Sequence, residues 1–217
     1  MKKIIVLTGI SLLSLFAAPV YSQTIEEALQ QANTAFDSAK TYPQKMMAVN
    51  QFKLIASKWQ DNWAANFYAA FSIAVTSFQE PKKDNKDPML DEADKYYSKI
   101  SNMDSTNDEV NVLGALLAQA RLSVNPMSRH VKYGEIVNKY LDKASSINPN
   151  NPRIYYLKAN TFFYTPKLFG GGVDKAQPLY EKAESLFAND SQDIMKPHWG
   201  KAVNESQLKL CKEKTEK

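Results

Sequence analysis

Glycine is scarce in this chain. Its 217 residues include only seven, where average usage of about 7% would supply roughly fifteen. Three of them stand together as Gly170, Gly171 and Gly172, so the rest of the chain is nearly glycine-free. A β-sandwich or barrel needs a turn about every 8–12 residues and is hard to build from that supply. No G-x-G-x-x-G and no G-x-x-x-x-G-K-[ST] occurs, which argues against the glycine-fingerprint nucleotide folds. Cysteine is scarcer still. Cys211 stands alone, so no intramolecular disulfide can form and the fold must rest on core burial. In the segment Leu208, Lys209, Leu210, Cys211 it reads as a small apolar residue of the last helix.

Histidine is equally sparse. His130 and His198 are far apart in the chain, and neither has Cys, Asp or His at ligand spacing. H-E-x-x-H, G-x-S-x-G and C-x-x-C are all missing. No metal site, no cofactor and no catalytic residues are therefore expected, and the chain reads as a non-enzymatic protein. The carboxylate pairs Glu26/Glu27 and Asp91/Glu92 read as solvated helical faces, and residues 82–87 as an exposed loop of mixed charge.

At the N-terminus Lys2 and Lys3 precede an apolar run over residues 4–16, followed by Ala17, Ala18, Pro19, Val20, Tyr21 and Ser22. This is the pattern of a secretory signal peptide with cleavage expected between Ser22 and Gln23. The apolar run is shorter than the ~20 residues that span a bilayer, so any membrane contact is expected only through this segment. No cysteine follows it, which disfavours a lipid-anchored form. The expected destination is the bacterial periplasm or the exterior. Loss of Lys2 and Lys3 brings the formal net charge from +4 to +2, and nothing at that level calls for a nucleic-acid partner. Residues 23–217 then form one domain.

What the chain does have is helical periodicity and regular punctuation. Prolines at 43, 81–88, 126, 149/152, 166 and 197 separate segments whose apolar residues recur every three or four positions. Nine helices are predicted, over 24–40, 43–58, 61–79, 88–103, 107–124, 128–147, 152–165, 174–188 and 197–213. Thr24 with Glu27 predicts a capping box on the first. The segments 63–78 and 110–124 are apolar on nearly every side and should be packed from several directions. No segment reads as a strand.

The polar-faced helices share one spacing of small, bulky and small or apolar residues. It occurs as Ala48, Phe52, Ile55; as Ala93, Tyr97, Ile100; as Val137, Leu141, Ala144; and as Ala176, Tyr180, Ala183. The third copy runs on through Ala144, Ser145, Ser146, Ile147, Asn148, Pro149, and Leu113-Gly114-x2-Leu117 precedes it. At these residues the chain resembles the tetratricopeptide repeat over roughly residues 24–190. The resemblance implies an all-α fold in which helix-turn-helix units stack as an α-α superhelix, a solenoid, with the ninth helix as a lysine-rich C-terminal cap. The copies lie more than 34 residues apart, and residues 165–172 interrupt the last unit, both departures from the family.

The same resemblance places the first helix of each pair on a concave face. Asn111, Ala115, Gln119, Tyr156, Asn160, Phe163 and Tyr164 would then point inward and grip a protein or peptide partner. The glycine-rich loop with Lys167, Phe169, Gly170, Gly171 and Gly172 is a second feature. Its free N–H groups at a helix start attract anions, but Asp174 would repel them. The glycines read better as a sharp reversal, with Leu168 and Phe169 plugging the gap between helices. The expected function is non-catalytic binding in the cell envelope. A small-molecule-binding component of a transport system is the alternative, with an enzyme on a helical scaffold behind it.

Overall fold

The structure, a computed structural model, describes residues 23–215; the predicted signal peptide lies outside the described residues. Among the described residues there are nine α-helices, one short 3-10 turn and no strand. The helices are α1 (Ile25–Ser38), α2 (Tyr42–Lys58), α3 (Trp63–Ser77), α4 (Lys83–Met103), α5 (Asp108–Val124), α6 (Pro126–Ile147), α7 (Pro152–Tyr164), α8 (Val173–Phe187) and α9 (Lys201–Thr215), and the 3-10 turn is Lys167–Phe169. The chain is all-α, as its periodicity predicts. No described helix is long and apolar enough to cross a membrane.

Local chemistry accounts for where the helices start. Thr24 and Glu27 form the expected capping box, and Thr41 with Gln44 forms a second. Asn62, Asn107, Asn125 and Asn151 cap α3, α5, α6 and α7, each accepting a backbone N–H of the first turn. Pro43, Pro126 and Pro152 occupy first-turn positions, where a missing N–H costs nothing.

Two boundaries differ from expectation. Residues 83–87 are helix, not exposed loop, so α4 begins five residues early and carries Pro88 inside it. The cause is a contact from outside the helix. Glu80, only 7% exposed, accepts from the Lys82 backbone N–H at 2.8 Å and from Asn85 at 3.3 Å, and Asp87 is held by Arg129 at 2.6 Å. The second difference is α9, which starts at Lys201 because residues 197–200 are drawn into extended contacts elsewhere. Gly200 therefore lies outside the helix, at φ +102°.

The repeat spacing is a packing code. Every residue of the four triplets is buried except Tyr97, which is partly so. The helices pack as four successive pairs closed by α9. The first helices of neighbouring pairs also touch, α1 on α3, α3 on α5 and α5 on α7, forming one inner layer. Gly114 shows how close the layers come. A Cβ there would meet the Tyr97 hydroxyl at 2.7 Å and the Tyr140 ring at 2.8 Å. Charge ties the layers as well. Arg121 of α5 reaches Asp91 at 2.7 Å and Asp94 at 2.6 Å, and Lys53 pairs with Glu92. Asp91 and Glu92 are thus paired side chains and not merely solvated ones.

The inner layer is not left open. Residues 188–200, between α8 and α9, cross it as a strap. The Tyr68 hydroxyl of α3 donates to the Lys196 carbonyl at 2.8 Å and lies 2.9 Å from His198 Nδ1, while Asn33 of α1 lies 3.5 Å from the other ring nitrogen. With the phenol proton committed to Lys196, the Nδ1–H donates to the phenol oxygen. Trp199 lies 4.8 Å from Phe71 of α3 and 6.1 Å from Tyr156 of α7, between ring centroids.

Arg153 of α7 anchors the strap. It is 1% exposed and bonds Asp190 at 2.5 Å, the Pro197 carbonyl at 2.7 Å and Glu109 of α5 at 3.0 Å. Two carboxylates thus share one guanidinium, and one Glu109 oxygen has no partner. Burial pushes the Glu109 carboxyl up to about 7 even though Arg153 pulls it down. A carboxyl raised in the folded state holds its proton more tightly when folded. Its contribution is therefore complete below about pH 4.5, the unfolded value, and is lost as pH climbs toward about 7. Glu109→Gln is expected to flatten the fall in melting temperature between pH 5 and pH 8, measured by thermal denaturation. An unchanged pH profile in this variant would show that Glu109 stays ionised in the fold.

Candidate binding surface

Contacts within the fold decide which of the sequence-derived candidates remain available. Asn111 is buried and donates to the Asn107 carbonyl at 2.8 Å, and Ala115 is fully buried beside it. Gln119 bridges α5 to α7 through the Leu157 carbonyl at 2.8 Å and Thr161 at 3.0 Å. Asn160 accepts from the Tyr180 hydroxyl at 2.7 Å. Tyr156 packs under Trp199 and against Tyr180, and burial pushes its phenol up. These five side chains are taken up by contacts within the fold. Gln119 turns to α7 and Tyr156 to the strap, whereas Asn111 turns back to its own helix start and Asn160 to α8.

The last turn of α7 is different. Phe163 is partly buried, while Tyr164 is 68% exposed. Immediately after it the glycine-rich loop turns back, and here the glycines do make the sharp reversal. Gly170 and Gly172 have φ of +84° and +132°, a region open to glycine at little cost. A Cβ at Gly171 would lie 1.9 Å from the Thr165 carbonyl oxygen. The Gly172 N–H donates to the Phe162 carbonyl at 2.9 Å. That amide is spent on the reversal and not left for an anion.

Leu168 and Phe169 overturn the expectation attached to them. They do not plug a gap between helices but stand 88% and 76% exposed. The 3-10 turn that carries them points their side chains away from the core, because Lys175 and the loop amides satisfy the backbone beneath. Tyr164, Leu168 and Phe169, within six residues of one another, thus make an exposed apolar segment, a shelf, at the end of α7.

Helix α9 faces this shelf. Val203, Gln207, Leu210 and Lys214 recur at i, i+4, i+7 and i+11 and so share one stripe. Gln207 donates to the Tyr164 hydroxyl at 3.0 Å, and the Lys214 ammonium lies 4.7 Å above the Phe163 ring. Val203 and Leu210 are 49% and 43% exposed. A cleft of about 570 Å³ opens over the first turns of α8, lined by Val173, Asp174, Gln177, Pro178 and Glu181 together with Lys167, Lys214 and Thr215. That volume falls within the range of small-molecule sites, about 300–1,000 Å³.

Two features of the sequence, the aromatic end of α7 and the glycine-rich loop, are thereby brought to one place. The spacing of the α9 stripe is visible in the sequence. The Arg153 anchor and Trp199 had no local signal that could have revealed them. Both histidines lie apart from the shelf. His130 is exposed on α6, 3.0 Å from the Met127 carbonyl, and His198 belongs to the strap.

Residues 28–164 match the family model of regulator of microtubule dynamics protein 1-3. The chain belongs to that helical family. Its likeness to the tetratricopeptide repeat is one of spacing and packing, and the sequence match is to this family. Among solved structures it is similar to the HusA haemophore from Porphyromonas gingivalis. The two are 33% identical over 88% of this chain and 94% of that one, with a TM-score of 0.75. A search of curated proteins returns no significant match. Residues 165–215, which include Leu168, Phe169, the cleft and the strap, lie beyond the matched segment, and Tyr164 is its last residue.

Proposed function

We propose that this protein is an exported carrier that binds a flat, largely apolar small molecule of the haem class on the shelf formed by Tyr164, Leu168 and Phe169, without catalysis of its own. The observation that carries the reading is the exposure of that shelf beside a cleft of suitable volume. Three large apolar side chains held 68–88% exposed at the end of α7 and on the turn that follows are costly to keep in water unless something covers them. Rigid aromatic surfaces bind flat ligands through stacking and area burial. The likeness to a haemophore, which extends over nearly the whole of that chain, supports the ligand class and an extracellular or envelope location, in line with the signal peptide read at residues 1–22.

Titration of the purified protein with haem, followed by the Soret band and by tryptophan quenching, tests this reading. Saturable binding is expected, and Tyr164→Ala combined with Phe169→Ala is expected to weaken it roughly tenfold or more, the scale of two lost aromatic contacts. The melting temperature of the double variant should stay close to that of the parent, because both side chains are exposed. Saturable binding of equal strength in parent and variant would place the ligand elsewhere.

A second reading is a peptide or protein partner on the same shelf, favoured by the position of Leu168 and Phe169 on a projecting turn. Haem would then not bind saturably, while the double variant would lose the partner in crosslinking from the native envelope.

A further inference from the structure

The cleft beside the shelf has an uneven arrangement of charge. Four ionisable side chains line it: Lys167, Asp174, Glu181 and Lys214. Both acids belong to α8, and Glu181 is engaged within it. Glu181 accepts from the Gln177 amide at 2.9 Å, one turn away on the same helix. Asp174, in the first turn of α8, folds back so that a Cβ at Gly172 would lie 2.5 Å from its Oδ1. Its carboxylate is favoured there by the helix dipole.

Both cations, in contrast, come from outside α8, from two different elements. Lys167 arrives from the 3-10 turn, one residue before Leu168. Its distance to Asp174 is 3.9 Å with both side chains largely exposed, a solvated pair of little strength. Lys214 arrives from the end of the α9 stripe and stands over Phe163. The lining of the cleft also includes Val173 and Pro178.

We infer that the ligand of this site carries carboxylate groups, and that Lys167 and Lys214 bind them at the cleft while the apolar body of the ligand lies on Tyr164, Leu168 and Phe169. The inference rests on the reading proposed above and narrows it. The two lysines become specificity-determining residues, which select acidic flat ligands over neutral ones of the same shape. Exchange of the weak Lys167–Asp174 contact for a ligand carboxylate costs little. The Lys214 ammonium, already held over an aromatic ring, needs no large reorganisation to pair.

Haem and its dimethyl ester, titrated against the full protein in one buffer with a fixed cosolvent, test the inference. The diacid is expected to bind at least tenfold more tightly than the diester, with an advantage that shrinks as salt rises. Lys167→Gln combined with Lys214→Gln should lower affinity for the diacid to that of the diester and leave the diester unchanged. Both side chains are exposed, so the variant should fold as the parent does, and its melting curve serves as the control. Equal binding of diacid and diester by the parent, or undiminished diacid binding by the variant, overturns the role of the lysines while leaving the shelf intact. Failure of both ligands to bind overturns the carrier reading itself, and this inference with it.

Discussion

Replacing Arg153 with alanine is expected to lower stability by about 3–5 kcal/mol, the cost of removing one partner from a buried ionic cluster. For a domain of this size each kcal/mol corresponds to about 2–4 °C, so the melting temperature should fall by roughly 10 °C. The guanidinium is 1% exposed and makes bonds to Glu109, Asp190 and the Pro197 carbonyl. Its removal leaves two carboxyls and a carbonyl without their donor. The loss should be greater at pH 8 than at pH 5, because protonation of the orphaned Glu109 carboxyl relieves part of it. Asp190→Asn in the Arg153→Ala background should recover some of the stability. A loss below about 1 kcal/mol, the value of an exposed pair, would mean that water reaches this cluster.

Trp199→Ala carries the second large effect, about 3 kcal/mol, at the lower end of the range for truncating a large aromatic because the indole is half-buried. The ring packs on Phe71 and Tyr156 and lies 5.5 Å from the Arg153 guanidinium. Its loss should uncover the inner faces of α3 and α7. Thermal denaturation gives the stability, and near-UV circular dichroism reports the lost aromatic packing. Trp199→Phe should retain most of both. Because the strap lies away from the shelf, haem affinity of Trp199→Ala at low temperature should stay near that of the parent. A variant that is stable but binds haem differently would place the ligand against the strap.

These two residues also show where reading of the sequence stops. The helices, their caps and the repeat triplets depend on neighbours within one or two turns. Thr24 with Glu27, or Ala176 with Tyr180 and Ala183, declare themselves by spacing alone. The start of α4 does not, because Glu80 and Arg129, the latter through Asp87, hold residues 83–87 helical from outside the helix. Whether the concave-face candidates are free depends on contacts that their spacing does not show: Gln119 is taken up by α7, Asn160 by Tyr180 and Tyr156 by Trp199. The strap itself is placed by residues far apart in the chain, since Tyr68 meets Lys196 across 128 positions. An irregular segment has no periodicity to betray its path.

By itself, the sequence determined an all-α repeat architecture, its capping chemistry, the buried lone cysteine and the reversal at Gly170, Gly171 and Gly172. All of these rest on local geometry: helical period, backbone freedom and the size of a side chain at a fixed spacing. Only the tertiary structure decided that residues 188–200 cross the inner layer as a strap and that Leu168 and Phe169 stay in water. The reason is physical. Burial and exposure are set by which distant surfaces meet, and here a single buried arginine and one indole hold the strap on the inner layer, while the open apolar surface stays at the end of α7.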